Sequence, residues 1–296
     1  MAEVGLDVRF IARGRHLEAL RTTGLQVTSI AGDFTIPEVQ ATDDPAGIGV
    51  VDTIIVAVKA WQVPEAAEAM RPLVGPKTLI VPLQNGVEAP TQLSSVLGES
   101  RVLGGFCRIV SYITAPGHVQ HAGGDAYMAF GELDNQPSER VKVLHQTLIQ
   151  ARGMIVQVPQ DIQAAMWGKF LQISSWSGMG AVTRAPAGIW RAIPETREMW
   201  QNAMREVLDV AVARGINLSG DLIRSVTSYV DNLPPGATAS MQRDIIEGRP
   251  SELEAQSGAV VRLGEEIGVS TPTHAFMYNA LLPAELRARG EIEFPS

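Results

Sequence analysis

The chain has 296 residues, 45% of them hydrophobic and 19% charged, and a formal net charge of −8. That length accommodates two domains with separate cores, and the composition is that of an ordinary globular protein. The acidic balance argues against a general nucleic-acid surface, and the single cysteine, Cys107, excludes an internal disulfide and a cysteine-rich metal site.

No apolar run is long enough to span a bilayer, and no basic region followed by an apolar core opens the sequence, so neither membrane anchor nor signal peptide is expected and the expected location is cytoplasmic. Residues 6–12 read as a strand, with Arg13-Gly14-Arg15 directly behind it, and residues 16–22 as a short helix closed by Gly24. Residues 53–58 (TIIVAV) form a continuous apolar run, the signature of a strand buried on both faces, and 63–70 follow as a helix with Pro64 in its first turn. Residues 78–83 (TLIVPL) repeat the buried-strand pattern and end in the turn Gln84-Asn85-Gly86. Short strands are expected at 102–106, 109–114, 119–121 and 126–130, punctuated by Pro116-Gly117 and Gly123-Gly124. A helix at 137–151 and a strand at 154–158 close this half. Cys107 lies in an apolar, glycine-rich strand and is expected to be buried and inert. His118 and His121, three apart in a strand, face opposite sides, and no metal site is expected.

Alternating strands and helices imply a doubly wound, mostly parallel sheet. From residue 161 the pattern becomes helical, with helices expected at 163–175, 194–214, 221–232, 240–247 and 251–267. The expected organisation is therefore an α/β, Rossmann-like domain over 1–160 and an all-α domain over 161–296.

Open α/β sheets bind ligands at the carboxyl ends of their strands. Three such ends are polar here: Arg13 with Arg15, Lys59-Ala60-Trp61-Gln62, and Gln84-Asn85-Gly86. Each alone reads equally as solvated charge; together they mark a binding cleft. NAD-binding folds place an acid at the end of the second strand, where the carboxylate takes the ribose hydroxyls. Arg13 stands there instead, and a guanidinium clamps a 2′-phosphate, so a bound dinucleotide would be NADP. In the helical half, Lys169 interrupts an apolar stretch (AAMWGKFLQI). It is either a snorkelling lysine with an exposed tip or a group that donates a proton to a carbonyl oxygen during hydride transfer. Ser240 and Ser251 each suit a helix N-cap, with Glu252 and Glu254 in the first turn that follows.

Taken in order, these stretches resemble the ketopantoate reductase family: Ala12-Arg13-Gly14, Lys59-Ala60-Trp61-Gln62, Gln84-Asn85-Gly86-Val87, the strands between Gly104 and Gly131, Trp167-Gly168-Lys169, Ser240-Met241 with Asp244, and Ser251-Glu252-Leu253. The resemblance runs from residue 1 to about residue 280. It implies a Rossmann domain followed by a helical one, NADPH as cofactor, and reduction of a 2-oxo acid to a 2-hydroxy acid, as in 2-dehydropantoate 2-reductase. It implies Lys169 as general acid, Glu252 as the group that binds a substrate hydroxyl, and Asn85 and Ser240 as further substrate contacts. Lys59, Gln62 and Asn85 would serve the nicotinamide end, and Arg13 the 2′-phosphate.

Two departures accompany the resemblance. The family carries asparagines four and eight residues after its lysine, where this chain has Ile173 and Ser177. Ser177 is kept as a weaker substrate contact, and the change points to a more apolar 2-oxo acid as an alternative substrate. The family also opens with a strand and a G-x-G-x-x-G loop, whereas residues 1–4 here read as the end of a first helix. The expectation is a Rossmann domain incomplete at its N-terminus, with a working protein that extends further, and the rival is a non-catalytic binding protein on the same scaffold. A homodimer is a further expectation.

Overall fold

In the computed structural model, which describes residues 1–295, the chain packs into two units. The first consists of Met1–Val58, Gln62–Gln84 and Pro90–Ile162. The second takes Lys59–Trp61, Asn85–Ala89 and the chain from Gln163 onward.

The first unit opens with a 3-10 turn, Ala2–Val4, closed by Gly5 at a φ of 86°. Then come β1 (Arg9–Ile11), α1 (Gly14–Thr22), β2 (Leu25–Ser29), β3 (Phe34–Ile36), β4 (Gln40–Thr42), β5 (Thr53–Val56), α2 (Val63–Met70) and β6 (Leu79–Pro82). They are followed by α3 (Ala89–Leu97), β7 (Gly104–Ala115), β8 (His118–Gly131), α4 (Glu139–Leu148) and β9 (Met154–Gln157). β1 runs parallel to β4, β5 runs parallel to β6, and a mixed sheet takes the order β3-β2-β8-β7 with β9 parallel to β8. The strand expected over 6–12 is shorter, since only Arg9–Ile11 pair with β4.

The larger difference is at 102–130. The four short strands expected there are two long antiparallel strands, β7 and β8, joined across Gly117 at a φ of 74°. Gly123 and Gly124 do not end a strand. They lie inside β8, and shifts in register near Val110 absorb them as bulges. All four residues of β6 are buried, as its apolar run requires. Leu79 and Val81 pack in one cluster with Phe130 and with Val141, Leu144 and Leu148, which recur on one face of α4 at helical spacing. Ser138 caps that helix by accepting the Val141 N–H at 3.2 Å. Cys107 is half-buried rather than fully buried, its thiol 3.6 Å from the Leu83 carbonyl oxygen.

The second unit is helical, as expected: α5 (Ile162–Thr183), α6 (Ala187–Trp190), α7 (Pro194–Ala213), α8 (Leu222–Asp231), α9 (Ser240–Ile246), α10 (Ala259–Glu265) and α11 (Pro272–Ala288). α5 runs well past the expected end at 175. Gly178 and Gly180 do not break it, because they are places of close approach: a Cβ at Gly178 would collide with Met277 Sδ, and one at Gly180 with the Gln242 amide. Ser174 and Ser175 stay helical by donating to the carbonyls four residues back, each at 2.7 Å. The expected helix over 251–267 is divided, with a π-helical turn at Glu254–Gly258 ahead of α10. Ser240 is not an N-cap; Ala239 holds that position and its N–H is taken by Gln242 Oε1 at 3.3 Å. The core lies along α7, whose Trp200, Ala203, Met204, Val207, Val210 and Ala211 are wholly buried, with Trp190 edge-on to Trp200 at 5.2 Å. Among the described residues no helix is long and apolar enough to cross a membrane.

Candidate active site

The chain beyond β6 changes unit within two residues. Gln84 belongs to the first unit, where its Nε2 donates to the carbonyls of Val56 at 2.8 Å and Val58 at 3.0 Å, tying the ends of β5 and β6 together. Asn85 and Gly86 belong to the second unit. Gly86 has a φ of 102°, and a Cβ there would lie 2.8 Å from the Ala255 carbonyl oxygen, so both conformation and space demand glycine. This approach to the π-turn brings Asn85 Nδ2 to 2.8 Å from Glu252 Oε2.

Glu252 is 5% exposed. Its Oε2 also faces Gln256 Nε2 at 3.4 Å, and its Oε1 faces the Ala60 N–H at 3.4 Å. A buried carboxylate is thus met by three uncharged donors, which satisfy it without neutralising it. The segment just before it is rigidly held. Glu285, itself buried, accepts the Ser251 N–H at 3.0 Å and the Ser251 hydroxyl at 2.5 Å, and Arg289 lies 2.6 Å from the same carboxylate. Ser251 Oγ accepts the Leu253 N–H at 3.2 Å, so it braces the turn at Glu252 rather than simply capping a helix. On the outer side, Glu254 pairs with Arg262 and accepts the Tyr278 hydroxyl at 2.6 Å. Burial, reinforced by that carboxylate, pushes the Tyr278 phenol up to about 12.

Lys59 and Asp244 form a second pair. Lys59 Nζ is 3.0 Å from Asp244 Oδ2, while Arg249 donates to Oδ1 from Nη2 at 2.8 Å and Nε at 3.1 Å. The Lys59 side chain remains 44% exposed. Its ammonium lies 5.6 Å from the centre of the Trp61 ring, and the Arg289 guanidinium lies 5.0 Å from it.

α5 carries Lys169, Ile173 and Ser177 at intervals of four, hence on one face. Lys169 is partly buried. Ser177 is fully buried, with its hydroxyl 2.5 Å from the Ile173 carbonyl oxygen and against Gln256 Oε1. Ser240 sits at the first position of α9, half-buried, and its hydroxyl has no hydrogen-bond partner among the described residues.

Two expected residues lie in the first unit. Arg13 is the N-cap residue of α1, with Nη2 2.7 Å from Glu65 Oε1, both side chains exposed. The first turn of α1 holds no acidic residue, so a guanidinium and open helical N–H groups stand together, which fits a phosphate. Gln62 immediately precedes α2.

The second unit therefore joins Asn85 to Glu252 and links Ser177 to Glu252 through Gln256. It ties Lys59 to Asp244. The sequence reading passed over Gln256, Arg249 and the Ala60 N–H. Gln256 had a legible signal, its position four residues after Glu252, whereas a backbone donor has none.

Residues 1–135 match the family described as ketopantoate reductase PanE/ApbA, and residues 161–285 match the C-terminal region of the same family. Among curated relatives, a protein named 2-dehydropantoate 2-reductase from Nostoc sp. (strain PCC 7120 / SAG 25.82 / UTEX 2576) is 27% identical over 285 residues, covering 95% of this chain and 88% of the relative. Among solved structures, that of 2-dehydropantoate 2-reductase from Geobacter metallireducens GS-15 is similar with a TM-score of 0.89 and 29% identity, covering 96% of this chain and 93% of the other. The ternary structure of D-mandelate dehydrogenase with NADH and anilino(oxo)acetate shares the fold, with a TM-score of 0.86 at 20% identity and coverage of 97% and 93%.

Proposed function

Because the chain belongs to the ketopantoate reductase family, whose 2-dehydropantoate 2-reductases use NADPH, we propose that it reduces 2-dehydropantoate to pantoate. NADPH supplies the hydride that reaches C2 of the 2-oxo acid when it is bound. Lys169 is the general acid, polarising the keto oxygen and delivering the proton that completes the hydroxyl. Glu252 accepts a hydrogen bond from the substrate's own hydroxyl, with Asn85 and Ser240 as neighbouring polar contacts. Arg13 holds the 2′-phosphate, and Lys59 and Gln62 serve the nicotinamide end. The same reading carries a homodimer and a cytoplasmic location.

The observation that supports this most is the buried Glu252 carboxylate, met by the uncharged donors of Asn85, Gln256 and the Ala60 N–H. A buried carboxylate met by uncharged donors is suited to a hydroxyl donor and rejects an apolar group in its place. The test is NADPH consumption with 2-dehydropantoate and with 3,3-dimethyl-2-oxobutanoate, which lacks only the hydroxyl. The expected preference for the hydroxylated acid in kcat/KM is at least about a hundredfold, as for other sites built to pair with a hydroxyl. Lys169→Ala should abolish turnover and spare NADPH binding. Equal use of both acids, or full turnover by the Lys169 variant, would overturn the assignment.

A further inference from the structure

Ser177 Oγ lies against two oxygen acceptors at once, the Ile173 carbonyl oxygen at 2.5 Å and Gln256 Oε1, with the weaker acceptor Met241 Sδ at 3.9 Å, yet a serine hydroxyl carries one proton. Which acceptor receives it depends on how the Gln256 amide is turned. Gln256 is wholly buried and reaches Glu252 Oε2 with Nε2 at 3.4 Å. The opposite orientation would satisfy Ser177, which could accept from Nε2 and still donate to Ile173. It would also set Gln256 Oε1 against Glu252 Oε2, two acceptors with no proton between them. The carboxylate therefore demands the orientation seen, and that orientation commits the Ser177 proton to Gln256. Ile173 O loses little, because it remains the acceptor of the main-chain bond within α5.

The two oxygens of Glu252 consequently differ. Oε2 takes two side-chain donors, Asn85 at 2.8 Å and Gln256, while Oε1 has, among the described residues, only the Ala60 N–H at 3.4 Å. We propose that Ser177 and Gln256 are positioning residues that anchor Glu252 through Oε2 and leave Oε1 as the oxygen that receives the substrate hydroxyl. The inference rests on the reading of Glu252 given above. It moves Ser177 from touching substrate to acting through Gln256. The π-turn is part of the device, since it carries Gln256 and, in Ala255, the carbonyl against which the Asn85–Gly86 turn is seated.

Two readouts test it, and only one needs turnover. In the full chain labelled with nitrogen-15, the Gln256 side-chain amide is the signal pair that vanishes in Gln256→Met. Ser177→Ala should move that pair and speed its exchange with solvent about tenfold or more, Glu252→Gln should also move it, and Ser177→Thr, which keeps the hydroxyl, should restore it. In kinetics, Ser177→Ala and Gln256→Met should lower kcat/KM about tenfold more for 2-dehydropantoate than for 3,3-dimethyl-2-oxobutanoate, chiefly through KM. A purely structural role would lower both substrates alike. An amide pair indifferent to Ser177→Ala or to Glu252→Gln, or equal losses on the two acids, would refute the inference. If the unaltered chain reduces neither acid, the functional reading fails, and the amide signals still decide whether Ser177 orients Gln256 toward Glu252. Should Ser177→Ala unfold, Gln256→Met supplies the kinetic arm and Glu252→Gln the spectroscopic one.

Discussion

His274 offers a direct test of how burial governs protonation in the helical unit. The residue is inaccessible to solvent near the start of α11, and its Nε2 lies 3.1 Å from the Ala203 carbonyl oxygen. The neutral ring with its proton on Nε2 satisfies that carbonyl, and Nδ1 then has no partner among the described residues. A second proton would sit on Nδ1, a buried position with no acceptor among the described residues. Burial accordingly lowers the imidazole from its ordinary 6.5 to about 4, outweighing the bond to Ala203, which acts the other way. Below pH 6.5 the unfolded chain binds a proton that the folded chain refuses. Stability is therefore complete above pH 6.5, declines as the pH falls toward 4, and changes no further below that on account of this group. The full interval corresponds to about 3 kcal/mol. Urea denaturation of the unaltered chain and of His274→Gln, followed between about pH 7 and pH 4, measures it, because glutamine can donate to Ala203 but does not titrate. The unaltered chain should lose about 3 kcal/mol more than the variant over this range. Parallel losses in the two proteins would show that His274 is not held neutral, and the argument from its orphaned Nδ1 would fall.

Other substitutions probe the positions around it and the proposed site. Glu206→Ala should destabilise the fold by about 1–3 kcal/mol in denaturant titration, since the Glu206 carboxylate accepts the Thr273 N–H at 2.7 Å and the His274 N–H at 2.9 Å and no other group among the described residues caps them. Gly86→Ala forces a side chain into a left-handed φ and against Ala255. A loss of about 1–3 kcal/mol is expected, together with a raised KM for the 2-oxo acid, because Asn85 is displaced from Glu252. Arg13→Ala should weaken NADPH binding about tenfold to a hundredfold in calorimetry and leave NADH within a few-fold, and equal losses for both nucleotides would exclude a 2′-phosphate role.

The parts of the fold that were legible in the sequence are those with a sustained physical signal. β5 and β6 announce themselves as continuous apolar runs, and α7 as a stripe of buried residues opened by Pro194. β2, β3 and β4 did not show, because strands of three to five residues with mixed polarity carry too little periodicity to stand out. Glycine misled at Gly123-Gly124, where it was taken as punctuation, whereas in the folded chain it forms a bulge inside β8. Residue type and order were enough to mark Lys59, Asn85, Lys169 and Glu252 as candidates. What could not be read was the pairing: that Asn85 meets Glu252, that Lys59 meets Asp244, and that Ser177 addresses Gln256. Those links span up to 185 residues of chain, and only packing decides them.

The helical unit is not a continuous piece of sequence, for it includes 59–61 and 85–89. A gene cut at the junction between residues 162 and 163 would leave Asp244 and Glu252 on one product and Lys59 and Asn85 on the other. Chimaeras that exchange halves between relatives at that junction would pair each acid with a foreign partner, however well both halves fold. Lineages built on this plan are thereby constrained to inherit their two halves together, and the loops behind β5 and β6 must change in step with the helices that receive them.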